Sequence, residues 1–283
     1  MAKNIINYQT IYSQQIHLDS VNASIQLNGS KKSNCTFFFN DVIKFDKNNI
    51  EMRLELVNAQ VPISWYLINS TNNQFSTSTN GEATFQIWTL PVGNYNATTF
   101  ITMFQTYMGS AFTVSFSSIT NTFTFTYGYN AWTLTDIGCN SIFQIIGFQT
   151  GIKYHSTGTP IATIQAPYSV AFGGLTKVNI KSSTFNLANA DSKSQGQVST
   201  ICSLPVSSIQ GGYIFYNNIT NFKSIFRNHE LSSINIQIQD PYNNYIDFNN
   251  VDWSMTLQID IVKEVIQTID NMDDVYKNLT SEL

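Results

Sequence analysis

The stretch Leu231-Ser-Ser-Ile234-Asn-Ile236-Gln-Ile238-Gln-Asp240-Pro-Tyr-Asn-Asn-Tyr-Ile-Asp-Phe248-Asn-Asn-Val-Asp-Trp253-Ser-Met255-Thr-Leu257-Gln-Ile259-Asp-Ile261-Val262 decides the fold. In its first half Ile234, Ile236 and Ile238 alternate with Asn235, Gln237 and Gln239. In its second half Trp253, Met255, Leu257, Ile259 and Ile261 alternate with Ser254, Thr256, Gln258 and Asp260. Successive side chains of a strand point to opposite faces, so each half has one apolar face to bury and one polar face to show. The connector Asp240-Pro241-Tyr242-Asn243-Asn244-Tyr245 carries turn chemistry, because Pro presets φ and Asn tolerates positive φ. The two halves therefore read as an antiparallel hairpin. Burying its large apolar side chains stabilises by about 1.5–3 kcal/mol each before chain entropy is subtracted. A hairpin cannot hold such a face alone, so a second sheet must cover it.

Working outward, the rest of the chain supports a β class. Phe, Tyr, Ile, Val and Thr are plentiful, Asn and Ser mark frequent turns, and helix formers are sparse. A chain of 283 residues is long enough for one large β domain or two smaller ones. Upstream, Cys35 to Phe39 and the alternating Met52, Leu54 and Leu56 read as strands, with a bend or exit from the sheet at Pro62. Phe112-Thr-Val114-Ser-Phe116 and Phe123-Thr-Phe125-Thr-Tyr127 read as a second hairpin. Between Glu82–Leu90, another strand, and that hairpin, Asn96 starts a helix carrying Phe100, Phe104, Tyr107 and Met108 at helical spacing. Residues 1–30 read as a polar N-terminal arm with one short strand. At the other end Val262, Val265, Ile269, Met272, Tyr276, Leu279 and Leu283 fall at alternating spacings of three and four, the pattern of an amphipathic helix over 263–283. Such a helix either folds back on its own domain or docks on another subunit, with Val265, Ile269, Met272, Tyr276 and Leu279 as its interface.

Charge excludes one class of partner. Charged residues make up 11% of the chain and the net charge is −4. A dedicated nucleic-acid binder needs a basic stripe to displace counterions, so no specific nucleic acid is expected. A surface of amides and hydroxyls suits contact with neighbours, although a coding bias toward Asn and Ile produces the same composition. Cys35, Cys139 and Cys202 are odd in number and widely spaced, which argues against a disulfide framework and fits a reducing compartment. No signal peptide and no membrane span are read from the apolar runs.

The chain offers little to an enzyme. His17, His155 and His229 are scattered, and neither a zincin helix, a phosphate loop, a nucleophile elbow nor a Cys-x-x-Cys pair occurs. Cys202 with His229 is the residual nucleophile arrangement, set against the ordinary behaviour of Cys as a small hydrophobe. Asp240, Asp247 and Asp252 either bind a cation or act as acid and base, or they hydrogen-bond their own backbone as turn Asp residues usually do. Tyr242, Tyr245 and Trp253 either stack on a sugar or belong to core and interface. No enzyme activity and no cofactor are expected.

The deciding stretch, with its apolar alternation, Asp-led turn and strand-opening Trp253, resembles the closing hairpin of the penton, or minor capsid, proteins of virophages and Polinton-like viruses. Three upstream segments resemble the family in the same order: Leu56-Val-Asn-Ala-Gln-Val-Pro62-Ile-Ser-Trp-Tyr-Leu-Ile-Asn69, then Leu90-Pro-Val-Gly-Asn-Tyr95 leading into the helix, and Phe143-Gln-Ile-Ile-Gly147-Phe148. The resemblance covers roughly residues 35 to 262 and does not include the C-terminal heptads. It implies an all-β fold, an antiparallel jelly-roll sandwich with an insertion and one or two short helices. The domain would run over 31–262 with the insertion at roughly 90–170. It also implies a homopentamer at the fivefold vertices of an icosahedral capsid, among trimers of a major capsid protein, in a virion assembled in the host cytoplasm. The alternative is a carbohydrate- or receptor-binding β-sandwich such as a viral spike.

Overall fold

The structure, a computed structural model, describes residues 3–44, 50–158, 160–185, 187, 189–190, 197–226 and 230–269. The chain opens with strands β1 (Lys3–Asp19), β2 (Ile25–Gln26), β3 (Asn34–Lys44) and β4 (Ile50–Pro62). It continues through β5 (Gln74–Ser78), β6 (Gln86–Thr89), helix α1 (Ala97–Met108), β7 (Phe112–Ser117), β8 (Thr122–Tyr127), β9 (Thr133–Thr135), β10 (Lys153–His155) and β11 (Ala162–Gln165). Then follow β12 (Lys177–Lys181), β13 (Asn189–Ala190), β14 (Gln197–Val198), β15 (Thr200–Pro205), β16 (Tyr213–Asn217), β17 (Ser224–Phe226), β18 (Glu230–Gln239) and β19 (Ser254–Ile269). Two units result, one from residues 1–65 and 175–283, the other from Tyr66–Gly174. The second unit begins at Tyr66, well before the insertion expected at roughly 90–170.

The first unit is a jelly roll. One sheet has the order β1-β19-β4-β16, with β17 also on β4; the other has the order β15-β12-β18-β3-β2, and the pairings within both are antiparallel. Followed along the chain, the long strands pass from the first sheet to the second and back: β1, then β3, then β4, then the β12–β15 pair, then β16 and β17, then β18, then β19. This double Greek key is the jelly-roll pattern. Ile234, Ile236 and Ile238 of β18 and Leu257 and Ile259 of β19 belong to one buried cluster with Leu54, Leu56, Val178, Ile180 and Trp253. Extra residues keep the inward phase. Between Leu56 and Asn58 the register with β19 slips at Val57, so Met52, Leu54 and Leu56 point inward before the bulge and Ala59 and Val61 after it. β4 ends at Pro62, where the sequence expected a break.

Three expectations are corrected here. The two alternating runs are not a hairpin: β18 and β19 sit in different sheets, and the connector 240–253 crosses between them with only an isolated Gln239–Tyr245 bridge. Alternation fixes which face is apolar and leaves the strand's partner open, and both apolar faces meet across the core. Second, residues 1–30 are not an arm. β1 pairs with β19 from Lys3–Ile269 to Asp19–Ser254, interrupted by a bulge between Thr10 and Tyr12. Third, the helix expected over 263–283 does not begin at 263, because β19 continues as strand to Ile269. Val265 lies opposite Asn7 and Ile269 opposite Lys3. Met272, Tyr276 and Leu279 lie outside the described residues.

The second unit has its own core. Its sheets are β10-β9-β5-β6 and β11-β8-β7. Phe100 and Phe104 of α1 bury with Phe75, Phe123, Phe125, Phe143 and Phe148. The helix starts where the sequence placed it, closed by a reciprocal cap in which Asn96 accepts from the Thr99 N–H while Thr99 accepts from the Asn96 N–H. At Gly147 φ is +86°, and a Cβ there would stand 2.2 Å from the Tyr168 carbonyl oxygen.

Candidate assembly surface

Each sheet of the jelly roll has two edges, and topology gathers them into two flanks. β1 of the first sheet leads through Ser20–Ser24 into β2, the edge of the second. β15, the opposite edge of the second sheet, leads through 206–212 into β16, the opposite edge of the first. Both flanks expose large apolar side chains. On the first are Tyr8, Ile11, Tyr12, Ile25, Leu27 and Phe38; on the second are Ile209, Tyr213, Phe215, Ile219, Phe222 and Ile225. Local geometry explains four of these placements. The β1 bulge leaves Ile11 as the extra, outward residue. On β16, Tyr213 and Phe215 alternate with the buried Ile214, and their rings lie 6.1 Å apart. Ile225 pairs with Arg53, an outward position of β4.

Between β16 and β17 the loop 218–223 is held by side-chain hydrogen bonds and an ion pair. Asn218 accepts from the Phe222 N–H at 3.2 Å and donates to the Phe222 carbonyl at 3.0 Å, closing the loop on itself. The same amide donates to Glu55 Oε1 at 3.0 Å. Lys223 Nζ donates to Asp260 Oδ2 at 2.5 Å and lies 3.3 Å from Glu55 Oε2. Ser13 and Gln258 also donate to Asp260. Burial pushes the Asp260 carboxyl up, but these donors and the Lys223 charge outweigh it and hold its pKa below 3.8. The hydrogen bond to Asp260 in turn raises Lys223 above 10.5. This part-buried network carries a loop whose outer side chains, Ile219 at 90% and Phe222 at 60%, are exposed.

The residues singled out for chemistry are dispersed. Cys202, on β15, is half-buried; burial raises its thiol pKa first, and the Tyr216 hydroxyl beside it only partly offsets this. His229 lies outside the described residues, so the Cys202–His229 arrangement falls there too. Asp240 accepts from the backbone N–H groups of Tyr242 at 2.7 Å and Asn244 at 2.9 Å, and Asp247 accepts from that of Asn249 at 2.9 Å. Both are turn caps. Asp252 instead pairs with Lys32 Nζ at 2.7 Å and accepts from Ser20 Oγ at 2.6 Å. His17 meets Thr256 Oγ1 at 3.0 Å, whereas His155, in the second unit, lies 3.3 Å from Thr133 and 3.5 Å from Glu82. Among the described residues no group of three or more His, Cys, Asp or Glu is arranged to hold a metal ion, and no helix is long and apolar enough to cross a membrane.

Of the three aromatic residues considered for sugar stacking, Trp253 is buried. Its indole N–H donates to the Lys32 carbonyl at 2.7 Å and its ring meets Phe37 edge-on. Tyr242 and Tyr245 are exposed on the connector. The apolar flanks were missed in the sequence. The unbroken run Tyr213-Ile-Phe-Tyr216 was the available signal, since four successive large apolar residues on one strand place two of them outward.

The molecule belongs structurally to the class of antiparallel jelly-roll proteins, here with a second unit inserted between two strands and apolar side chains on both flanks. No protein-family model matches the chain, and no curated protein matches it. Among solved structures it is similar to the crystal structure of the mavirus penton protein. That likeness covers 90% of this chain and 100% of the other, at 10% sequence identity and a TM-score of 0.45.

Proposed function

We propose that this chain is a structural capsid protein that forms a homopentamer at the vertices of an icosahedral virion, seated among trimers of a major capsid protein and assembled in the host cytoplasm. The observation that carries the proposal is the pair of apolar flanks on opposite edges of one jelly roll. Exposed apolar patches of this extent mark surfaces that other proteins cover. A ring of identical subunits covers both, since each member presents a different patch to each neighbour. The deciding stretch and the three upstream segments, in the same order along the chain as in the family they resemble, support the same reading. The apolar positions Met272, Tyr276 and Leu279 are proposed to dock on an adjoining subunit. The test is native mass spectrometry and negative-stain imaging of the purified protein, with and without its capsid partner. Fivefold rings and incorporation into particles are expected; a protein that stays monomeric and never enters particles refutes the proposal.

A second reading keeps a glycan- or receptor-binding sandwich, favoured by the exposure of Tyr242 and Tyr245 on the crossing connector. Glycan-array binding that disappears in Tyr242→Ala or Tyr245→Ala at unchanged melting temperature supports it. Absence of binding to the array removes it.

A further inference from the structure

We infer that the two flanks are complementary halves of one head-to-tail contact, in which the loop 218–223 of one copy seats its Ile219 and Phe222 against the β1–β2–β3 edge of a second copy. The inference rests on the self-assembly reading above and specifies its surface. The first argument is area. At roughly 200 Å² for a fully exposed side chain of this size, the six apolar residues of the β16–β17 flank expose about 800 Å² and the six of the β1–β3 flank about 650 Å². Stable interfaces bury about 600–1,000 Å² from each partner. The two flanks are thus matched in size, and each is large enough for one contact. A symmetric contact of either flank with itself would cover one and leave the other bare. Head-to-tail association covers both, and repeats until it closes.

The second argument is preorganisation. A loop that must order on binding forfeits affinity to lost conformational freedom. Here Asn218 closes the loop internally, and Lys223 ties it to Glu55 and Asp260 on the sheet. Asn221 supplies the positive φ of 50° that the turn needs. Two exposed apolar side chains on a hydrogen-bonded, charge-anchored loop have the form of an interface hot spot. The opposite edge offers Leu27 at 66% and Phe38 at 57% exposure as counterparts.

The test uses two full-length variants, Phe215→Glu/Ile219→Glu, which spoils one flank, and Leu27→Glu/Phe38→Glu, which spoils the other. All four positions are exposed, and an unchanged melting temperature checks that both variants fold. Sedimentation velocity is run on each alone and on their 1:1 mixture. Each variant alone is expected to lose the closed ring. The mixture is expected to form a heterodimer at least tenfold tighter than either self-association, because it retains one intact contact and cannot propagate. A variant that keeps the wild-type oligomer overturns the inference while leaving the assembly reading intact. Homodimers of Leu27→Glu/Phe38→Glu alone overturn it in favour of a symmetric contact. A wild-type chain that is monomeric at every concentration removes the assembly reading itself, and the inference with it.

Discussion

Lys32 shows how single residues fasten the sandwich. Its φ of +56° is a left-handed conformation that a side-chain-bearing residue adopts at a cost. The cost is offset three ways: its carbonyl accepts the Trp253 indole N–H, its ammonium pairs with Asp252, and Asp252 is held by Ser20. The start of the chain is thereby tied to the entry of its last strand. Asp252→Ala leaves the buried Lys32 ammonium without its partner and is expected to cost about 2 kcal/mol, less than for a fully buried pair because Asp252 is partly exposed. Urea unfolding measures it. The Lys223–Asp260 pair sets a pH window. Asp260 has a depressed folded pKa, so its stabilisation is present above the unfolded value of 3.8 and is lost as pH falls through the lower folded value. Lys223 has a raised one, so its share is complete below 10.5 and is lost as pH rises through the higher folded value. Stability from this pair is therefore expected to be flat from about pH 5 to 9. Urea midpoints across pH should show the acid loss shrinking in Asp260→Asn.

At the scale of elements, what the sequence revealed and what it hid divide along one line. Local chemistry was legible: the Asn96 cap, the β7–β8 hairpin, the end of β4 at Pro62 and the inward faces of Ile236 and Trp253 all follow from neighbours a few residues away. Long-range partnership was not. Alternation in 231–262 is the same whether two strands lie side by side or face each other. The polar, weakly alternating run from Asn4 to Gln15 hides β1, whose strand state is set by pairing with residues more than two hundred positions away. The spacing of Val262, Val265 and Ile269 fits a helix, yet the ladder from Lys3 to Thr10 holds them extended. The exposed flanks were hidden for a related reason, since an apolar residue in a strand reads as core until the sheet edge is known. One element-level prediction rests on a particular contact, and a second concerns the segment after β19. Gly147→Ala places a methyl against the Tyr168 carbonyl at a positive φ, and should destabilise the second unit by about 2–4 kcal/mol in thermal melts. Deleting 270–283, which leaves β19 whole, should lower ring or particle yield at nearly unchanged melting temperature; a lowered melting temperature with unchanged yield would place that segment's contacts within its own subunit.

For the whole molecule, the physical theme is a jelly roll that buries its isoleucines between two sheets and still leaves a comparable class of side chain uncovered on both edges. With so few charges to keep copies apart, such edges favour association over a free monomer. The most direct test is native mass spectrometry of the intact chain across a hundredfold concentration range. A closed five-membered species that sharpens with concentration, with few intermediates, is the expected result. A mass that remains that of one chain throughout, or a series that grows without closing, would contradict it.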